Sequence, residues 1–384
     1  MYVDTPSLAL KRRDVVRGLR ELLLKLTKKC ALLQREPDNA LARFLFSGIT
    51  LRGDARADPL LPSIDFEDKS IMKELTTEKE GRSEYTKSEA QGICHILCEA
   101  SRKGIEKVEA VRTHGEIVTR ADVNKFQLKL RYTRDMHNWI HISRFHYNRL
   151  LDTYVTHSGD VDKQHFLKRL YCLLLRYETL GGPMYQCSCT GAAFDAMRRN
   201  FEVRYECFAS PFNHNAGTYW SAFPDTDCFF GSRGSFFTHG DDLEEQGGSF
   251  YANPPFVEDV MLLMQGQIQK MLAWAAPVSF VVVIPNWIDE PCHVWLMGET
   301  ATGGAKHMAL PKGHHYVEGN QQTNTRQVPK EHTSRFEVSL FLIQNEPGQQ
   351  RWPDVDGSKF QEIFDMFVRD TGALLDRLQD VYED

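Results

Sequence analysis

Gly248-Ser-Phe-Tyr-Ala-Asn-Pro-Pro-Phe256 is the stretch on which the reading of this chain turns. Ser249 to Ala252 is a short apolar-aromatic run that reads as a strand, and helical spacing resumes near Val257. Between them stand Asn253, Pro254, Pro255 and Phe256. A strand that ends in Asn-Pro-Pro-aromatic suits one chemistry well, the methylation of a planar amino nitrogen. That nitrogen is a poor nucleophile because its lone pair is delocalised into the ring. The Asn253 amide oxygen and the Pro254 carbonyl can each accept one N–H of the amino group, which holds the nitrogen toward tetrahedral geometry with its lone pair aimed at a methyl donor. The prolines fix φ and stiffen the turn. The Phe256 ring can stack on the base that carries the amino group. By composition alone such a tetrapeptide arises in about one chain of this length in a few hundred. A rigid strand end with a buried Phe is the competing interpretation, so the surrounding sequence has to decide.

With 384 residues, 42% of them apolar, the chain has ample material for a core and a length suited to about two domains. A net charge of −6 means that any nucleic acid must be met by a local basic surface. Met1 to Pro6 lacks the basic-then-apolar pattern of a leader, and the longest apolar run, 278–285, is too short for a bilayer, so no membrane association is expected. The nine cysteines read as free thiols. Cys94-x-x-x-Cys98 and Cys187-x-Cys189 lack a second matching pair, so no metal is expected.

Leu19, Leu22, Leu23 and Leu26 give the N-terminal part helical spacing, flanked by Lys11, Arg12, Arg13 and Arg17. Those charges read as a solvated face or as a surface for a polyanion. Residues 58–70 read as a loop, 88–111 as a helix, 125–132 as a strand, and 138–153 and 161–177 as helices. Beyond Gly181-Gly182-Pro183 the style changes. Strands are expected at 203–208, 249–252, 278–284 and 336–343, with helices at 257–275 and from 359 to about 382. Strands that alternate with helices predict an α/β fold with a mostly parallel sheet. Ligands in such sheets bind past the carboxyl ends of the strands. Ser210-Pro211 and Asn253–Phe256 both fall at such ends, which sets a cofactor and a substrate side by side.

Four segments carry a family resemblance. They are Tyr205-Glu-Cys-Phe-Ala-Ser-Pro-Phe-Asn213, Ser221-Ala-Phe-Pro-Asp-Thr-Asp227 with Phe230-Gly-Ser-Arg-Gly234, Gly248 to Phe256, and Phe341-Leu-Ile-Gln-Asn-Glu-Pro-Gly348. In this order and spacing the chain resembles the cap-specific adenosine N6-methyltransferases, also described as factors that interact with the phosphorylated tail of RNA polymerase II. The likeness is firm over about the last 220 residues and weaker through 129–171. It implies a helical domain over 1–165 that supports RNA and cap binding, and a Rossmann-like class I methyltransferase domain over 166–384. It implies S-adenosyl-L-methionine as cofactor and an N7-methylguanosine-capped mRNA as substrate, methylated on N6 of the first transcribed adenosine. RNA polymerase II or capping enzymes are the implied partners and the nucleus the implied location, although Lys11-Arg12-Arg13 is too short a cluster to separate nucleus from cytosol.

On this resemblance Asn253, Pro254, Pro255 and Phe256 are the catalytic residues. Gln186, Ser188, Glu206, Ser210, Pro211 and Asn213 are the expected donor contacts. Asp225 and Asp227 either hold the donor's ribose or cap the next turn. The cationic cap base calls for an electron-rich ring and a carboxylate, which nominates Pro285, Trp287 and one of Glu258 and Asp259. Arg233, Lys306, Lys312, His314 and His315 are candidate phosphate contacts. Trp274 and Trp295 lack the aromatic pair and terminal proline of a WW module, so recruitment by that route is not expected. Cys228, Tyr251 and the 214–219 segment depart from the family pattern, which bears on the ribose state or the number of methyl groups. The rivals are an amino-methyltransferase acting on DNA adenine or protein glutamine, and a cap- or RNA-binding scaffold without turnover.

Overall fold

The computed structural model describes residues 4–51, 57–77, 85–112, 115–121, 127–133, 139–160, 163, 165–317 and 331–369. Five helices lead: α1 (Pro6–Leu26), α2 (Ala31–Arg35), α3 (Pro37–Leu51), α4 (Lys69–Thr76) and α5 (Lys87–Glu109). α1 starts where the Thr5 hydroxyl accepts the Leu8 N–H and Pro6 takes the first turn, and α5 starts on a reciprocal Thr86–Glu89 capping box. An antiparallel sheet of β1 (Ile117–Ala121), β2 (Gln127–Tyr132) and β3 (Ile140–Ser143) follows, then α6 (Arg144–His157) and α7 (Phe166–Leu180). The helix expected at 138–153 therefore begins late. Ile140 and Ile142 are buried at alternate positions and pair with β2, and Ser143 caps α6 through the His146 N–H.

The second half comprises α8 (Gly191–Phe201), β4 (Tyr205–Glu206), β5 (Thr218–Tyr219), α9 (Pro224–Asp227), α10 (Phe236–His239), β6 (Gly248–Ala252), α11 (Glu258–Leu272), β7 (Val278–Pro285), α12 (Pro291–Thr302), β8 (Ala305–Leu310), β9 (His315–Val317), β10 (Glu331–Thr333), β11 (Val338–Gln344), α13 (Glu346–Arg351) and α14 (Ser358–Val368). The helix expected to reach 382 is described as far as Val368 with Arg369 as its extended C-cap; residues 370–382 lie outside the described residues.

The six-stranded sheet runs β5-β4-β6-β7-β11-β8. β5, β4, β6 and β7 are mutually parallel, and β11 is antiparallel to both β7 and β8. Five strands thus point one way and β11 the other, which makes this a mixed α/β fold on a mainly parallel sheet. The pleat divides its side chains. Phe250, Phe280, Val282 and Ile284 pack with Met264, Ile268 and Leu296 of α11 and α12, while Tyr251, Val281 and Val283 pack on the opposite face with α8 and α14. The expected strand at 203–208 is a two-residue ladder extended by Arg204 N–H to Ser249 O and Cys207 N–H to Tyr251 O.

The helical layer shares its core with the segments around the sheet. Leu19, Phe44, Leu97 and Leu173 belong to the same apolar cluster as Phe212, Phe223, Phe230, Val257 and Val260. Arg12 and Arg13 correct the reading of the N-terminal charges, because both are buried. Arg12 pairs with Asp4 and Asp58, and Arg176 pairs with Asp4 and Asp225, so one ladder of buried ions fastens α1 to α7 and α9. All nine cysteines are unpaired, and burial pushes Cys94 up to about 12, which keeps it a thiol. No helix among the described residues is long and apolar enough to cross a membrane.

Candidate active site

The order of the parallel strands reverses at β4, which neighbours β5 on one side and β6 on the other. A crevice is expected outside the carboxyl ends at that switch point. Residues 186–188 cross it. Asn213, after β4, donates its Nδ2–H to Gln186 O at 2.8 Å, and Asn253, after β6, donates its Nδ2–H to Cys187 O at 3.4 Å. The two segments singled out from the sequence are therefore bridged by one short piece of main chain, and Ser188 continues it by pairing with Val317.

A cleft of about 1420 Å³ opens here between the helical layer and the sheet. Asn253, Pro254, Pro255, Phe256, Ser188, Glu258, Trp287 and His314 all line it. Neither Asn253 Oδ1 nor the Pro254 carbonyl accepts a hydrogen bond among the described residues. The Val257 N–H turns back to Pro255 O at 2.7 Å, so Phe256 is the apex of a three-residue turn. Its φ is not positive, which makes the turn the common inverse γ form. Phe256 meets Phe336 edge-on at 6.3 Å between centroids. Trp287, 44% exposed, and Phe336 offer the cleft aromatic surface.

The donor candidates divide into three kinds. The Gln186 side chain is 5% exposed and neither of its amide atoms has a partner among the described residues, which is an unspent donor and an unspent acceptor in one buried group. Ser210, Asn213 and Glu206 instead shape the loop after β4. Asn213 Oδ1 accepts from Ser210 N and Oγ, and Glu206 accepts from Asn215 N at 2.6 Å and Ala216 N at 2.7 Å. Burial pushes the Glu206 carboxyl up to about 7 despite those donors. Pro211 is buried in the same loop. Asp225 and Asp227 form the third kind. Asp225 takes two bonds from Arg176, and Asp227 takes the Tyr177 and Thr226 hydroxyls, so both carboxylates are spent on the fold.

The cap candidates divide as well. Glu258 and Trp287 line the cleft, whereas Pro285 is buried in β7 and Asp259 is buried against Lys69 at 2.8 Å. Among the phosphate candidates, Lys306 bonds Asp354 and sits near the amino end of β8, away from the crevice. His314 lines the cleft, but its Nδ1–H donates to Pro311 O, and burial lowers its pKa. A neutral ring in that tautomer offers an acceptor at Nε2, the wrong polarity for phosphate. Arg233, Lys312 and His315 are not among the residues that line the cleft.

The helical layer supplies a wall that sequence reasoning left without residues. Arg43 on α3 bonds Ser70 at 3.1 Å, Tyr185 at 3.4 Å and the Glu74 carboxylate, and Lys73 and Asn39 stand beside it. Asn286, between the nominated Pro285 and Trp287, also lines the cleft and was missed. Trp274 and Trp295 lie just past α11 and in α12, on either side of β7.

Two comparisons bear on this arrangement. The family described as "Phosphorylated CTD interacting factor 1 WW domain" matches residues 148–319, which run from within α6 past β9 and include residues 186–188, Asn213 and Asn253–Phe256. Proteins named mRNA (2'-O-methyladenosine-N(6)-)-methyltransferase, from Mus musculus and Homo sapiens, are each 33% identical over 231 residues, covering 58% of this chain and 32% of theirs. The chain spans about a third of the length of these curated relatives. The quoted segments 205–213, 221–234 and 248–256 all fall inside the family match, so this part of the chain is similar to the phosphorylated CTD interacting factor family.

Proposed function

We propose that this protein transfers a methyl group from S-adenosyl-L-methionine to N6 of the first transcribed adenosine of N7-methylguanosine-capped mRNA. The carrying observation is the Asn253 amide. Its Nδ2 is tied to Cys187 O while, among the described residues, Oδ1 and the neighbouring Pro254 carbonyl accept nothing, and all of this sits at the switch point of a chain related to adenosine N6-methyltransferases.

The sheet supports a Rossmann-like class I reading, since the single reversed strand β11 lies between the parallel β7 and β8. Donor binding is tested by the groups present. The unpartnered Gln186 amide offers an N–H to a carboxylate and a carbonyl to an ammonium, which matches the methionine half. Ser188 and the loop held by Ser210 and Asn213 would complete that side. The bound donor supplies an electrophilic methyl group. Asn253 Oδ1 and Pro254 O accept the two N–H groups of the adenine and direct the nitrogen lone pair. Phe256 stacks on the base, and its inverse γ-turn fixes where the ring stands. The amino proton leaves after transfer, so no side chain need act as a strong base.

Trp287 and Glu258 form the cap platform in this reading, as a ring and a carboxylate suited to a cationic base. The wall from α3 and α4 gives residues 1–165 their part in holding RNA, with 166–384 as the methyltransferase unit. Work on nascent capped transcripts suits a nuclear protein that meets RNA polymerase II.

The test is methyl transfer to short RNAs, read by mass spectrometry of the digested nucleosides. The substrates are capped RNA starting with A, the same with 2′-O-methyl-A, capped RNA starting with G, and uncapped RNA starting with A. N6-methylated adenosine from the capped A substrates alone is the expected result. Transfer to none of them, with S-adenosylhomocysteine still raising the melting temperature, overturns it.

A further inference from the structure

β6 and β7 are adjacent parallel strands, and they end alike. β6 is followed by the turn in which the Val257 N–H reaches Pro255 O at 2.7 Å; β7 is followed by one in which the Trp287 N–H reaches Pro285 O at 2.8 Å. Neither apex residue has a positive φ, so both are inverse γ-turns. Asn286 thus holds at the end of β7 the position that Phe256 holds at the end of β6, and both line the cleft.

The Asn286 side chain is held from behind. Ser339 on β11 donates its hydroxyl to Asn286 Oδ1 at 3.2 Å, and His293 on α12 lies with Nε2 2.9 Å from the same Ser339 oxygen. The serine proton is committed to Asn286, so His293 Nε2 carries a proton and donates it. The Glu337 carboxylate, 3.3 Å from Nδ2, fixes the orientation of the amide, because only the NH2 end can face a carboxylate. The reverse flip would set two acceptors together. The Asn286 N–H also bonds Glu337 O at 3.4 Å and prolongs the β7–β11 ladder. Among the described residues one amide N–H and one Oδ1 lone pair are left over, on a residue adjacent in sequence to Trp287 that lines the same cleft.

We infer that Asn286, oriented by Ser339 and His293, is a specificity-determining residue that donates its remaining N–H to the 6-oxo group of the purine stacked on Trp287. This rests on the cap reading of the Trp287 platform given above. A guanine base presents an acceptor at that position and an adenine base presents an amino donor, so a fixed N–H distinguishes the two. Ser339 and His293 are positioning residues, since they act through Asn286.

The experiment measures affinity for two dinucleotide probes, N7-methylguanosine-triphosphate-adenosine and its N7-methyladenosine counterpart. It uses the wild type, Asn286→Asp, Asn286→Ala and Ser339→Ala, with methyl-transfer kinetics on capped RNA alongside. The wild type is expected to prefer the guanosine probe. Asn286→Ala should weaken that probe by about 3- to 10-fold, the span of one hydrogen bond, and raise KM with kcat nearly unchanged. Asn286→Asp keeps the shape, can still accept from Ser339 and cannot donate, so it should shift preference toward the adenosine probe. Ser339→Ala should show a smaller KM effect in the same direction. A wild type that prefers the guanosine probe, with an unchanged preference in both Asn286 variants, overturns this inference and leaves the cap reading standing. A wild type that binds neither probe overturns both.

Discussion

The segment after β6 and the segment after β5 both carry polar residues that the sequence marks as functional, and they use those residues in opposite ways. After β6, Asn253 Oδ1 and the Pro254 carbonyl accept nothing among the described residues, and the buried Gln186 amide, next to Cys187 in sequence, makes no bond there at either atom. After β5, Asp225 is gripped twice by Arg176, and Asp227 takes hydroxyls from Tyr177 and Thr226. Both segments lie past the carboxyl ends of parallel strands. Position in the fold therefore does not separate ligand-binding from structural groups; unspent hydrogen-bond capacity does. In these two segments the groups proposed to meet a ligand keep a lone pair or an N–H in reserve, whereas the two carboxylates that hold the fold have theirs engaged.

The most severe way to break the β5 side is Arg176→Met. Burial pulls the guanidinium's pKa down while Asp225 and Asp4 push it up, and the balance is upward, as expected of an ion held by its partners. Removal leaves buried carboxylates facing an apolar chain, which costs about 3–5 kcal/mol. Chemical denaturation should show that loss, and donor affinity per folded molecule should stay within about twofold. A variant that melts like the wild type but fails to bind donor would place Asp225 in the cofactor site and erase the contrast.

Asn253→Ala breaks the β6 side with the reverse signature. One preorganised polar contact to the reacting group is worth about 10²- to 10³-fold in turnover. Single-turnover methyl transfer should fall by that amount. The melting temperature and S-adenosylhomocysteine affinity should hold, because among the described residues this amide carries one long bond, to Cys187 O. Retained turnover would remove the role assigned to it.

Asp227 sharpens the comparison through pH. Burial pushes its carboxyl up to about 6, against the hydrogen bonds from Tyr177 and Thr226, while an unfolded Asp titrates near ~3.9. The folded state therefore binds the proton more tightly. The associated stability is complete below about pH 4 and is lost as pH rises through about 6. Glu206, pushed up to about 7 by burial, acts in the same direction over a higher window. Asp227→Asn removes the ionisation and can still accept the Tyr177 hydroxyl. It should gain on the wild type by roughly 1–3 kcal/mol between pH 4 and pH 8, as thermal melts across that range would show. An offset that stays constant with pH would mean that the carboxyl titrates at its ordinary value.

The sequence made legible what is written locally. The seven-residue apolar run of β7 and the proline-stiffened end of β6 need no distant partner to be recognised. β8 was missed because only Ala305 and Leu310 at its two ends are fully buried, and β5 because it has two residues. Asp225 stayed ambiguous because its partner Arg176 is 49 residues away, and a loop carboxylate reads the same with or without such a partner. The cleft wall built by Arg43, Lys73 and Glu74 exists only once α3 docks on the sheet side, where its core residues share a cluster with Val257 and Val260 of the α11 region. Arg12 and Arg13 misled for the same reason, since helical periodicity reports which face is apolar but not which charges find buried partners.

Trp287 gives the smallest expected effect and applies the same criterion to a ring. It is 44% exposed beside Glu258 in the cleft, so its π face is unspent, unlike that of Phe223, which lies under the Arg176 guanidinium at 4.9 Å. A half-exposed ring contributes little to the core, and Trp287→Ala should leave the melting temperature nearly unchanged. A cationic base stacked on it gains about 1–2 kcal/mol, so capped RNA should bind about tenfold more weakly to the variant. Uncapped RNA of the same sequence lacks that charge and should lose less than about twofold. Competition binding with the two RNAs separates the cases. Equal losses would mean that the ring serves the RNA chain at large, and the cap would then have to be sought on the α3–α4 wall, where Arg43 and Glu74 already engage each other.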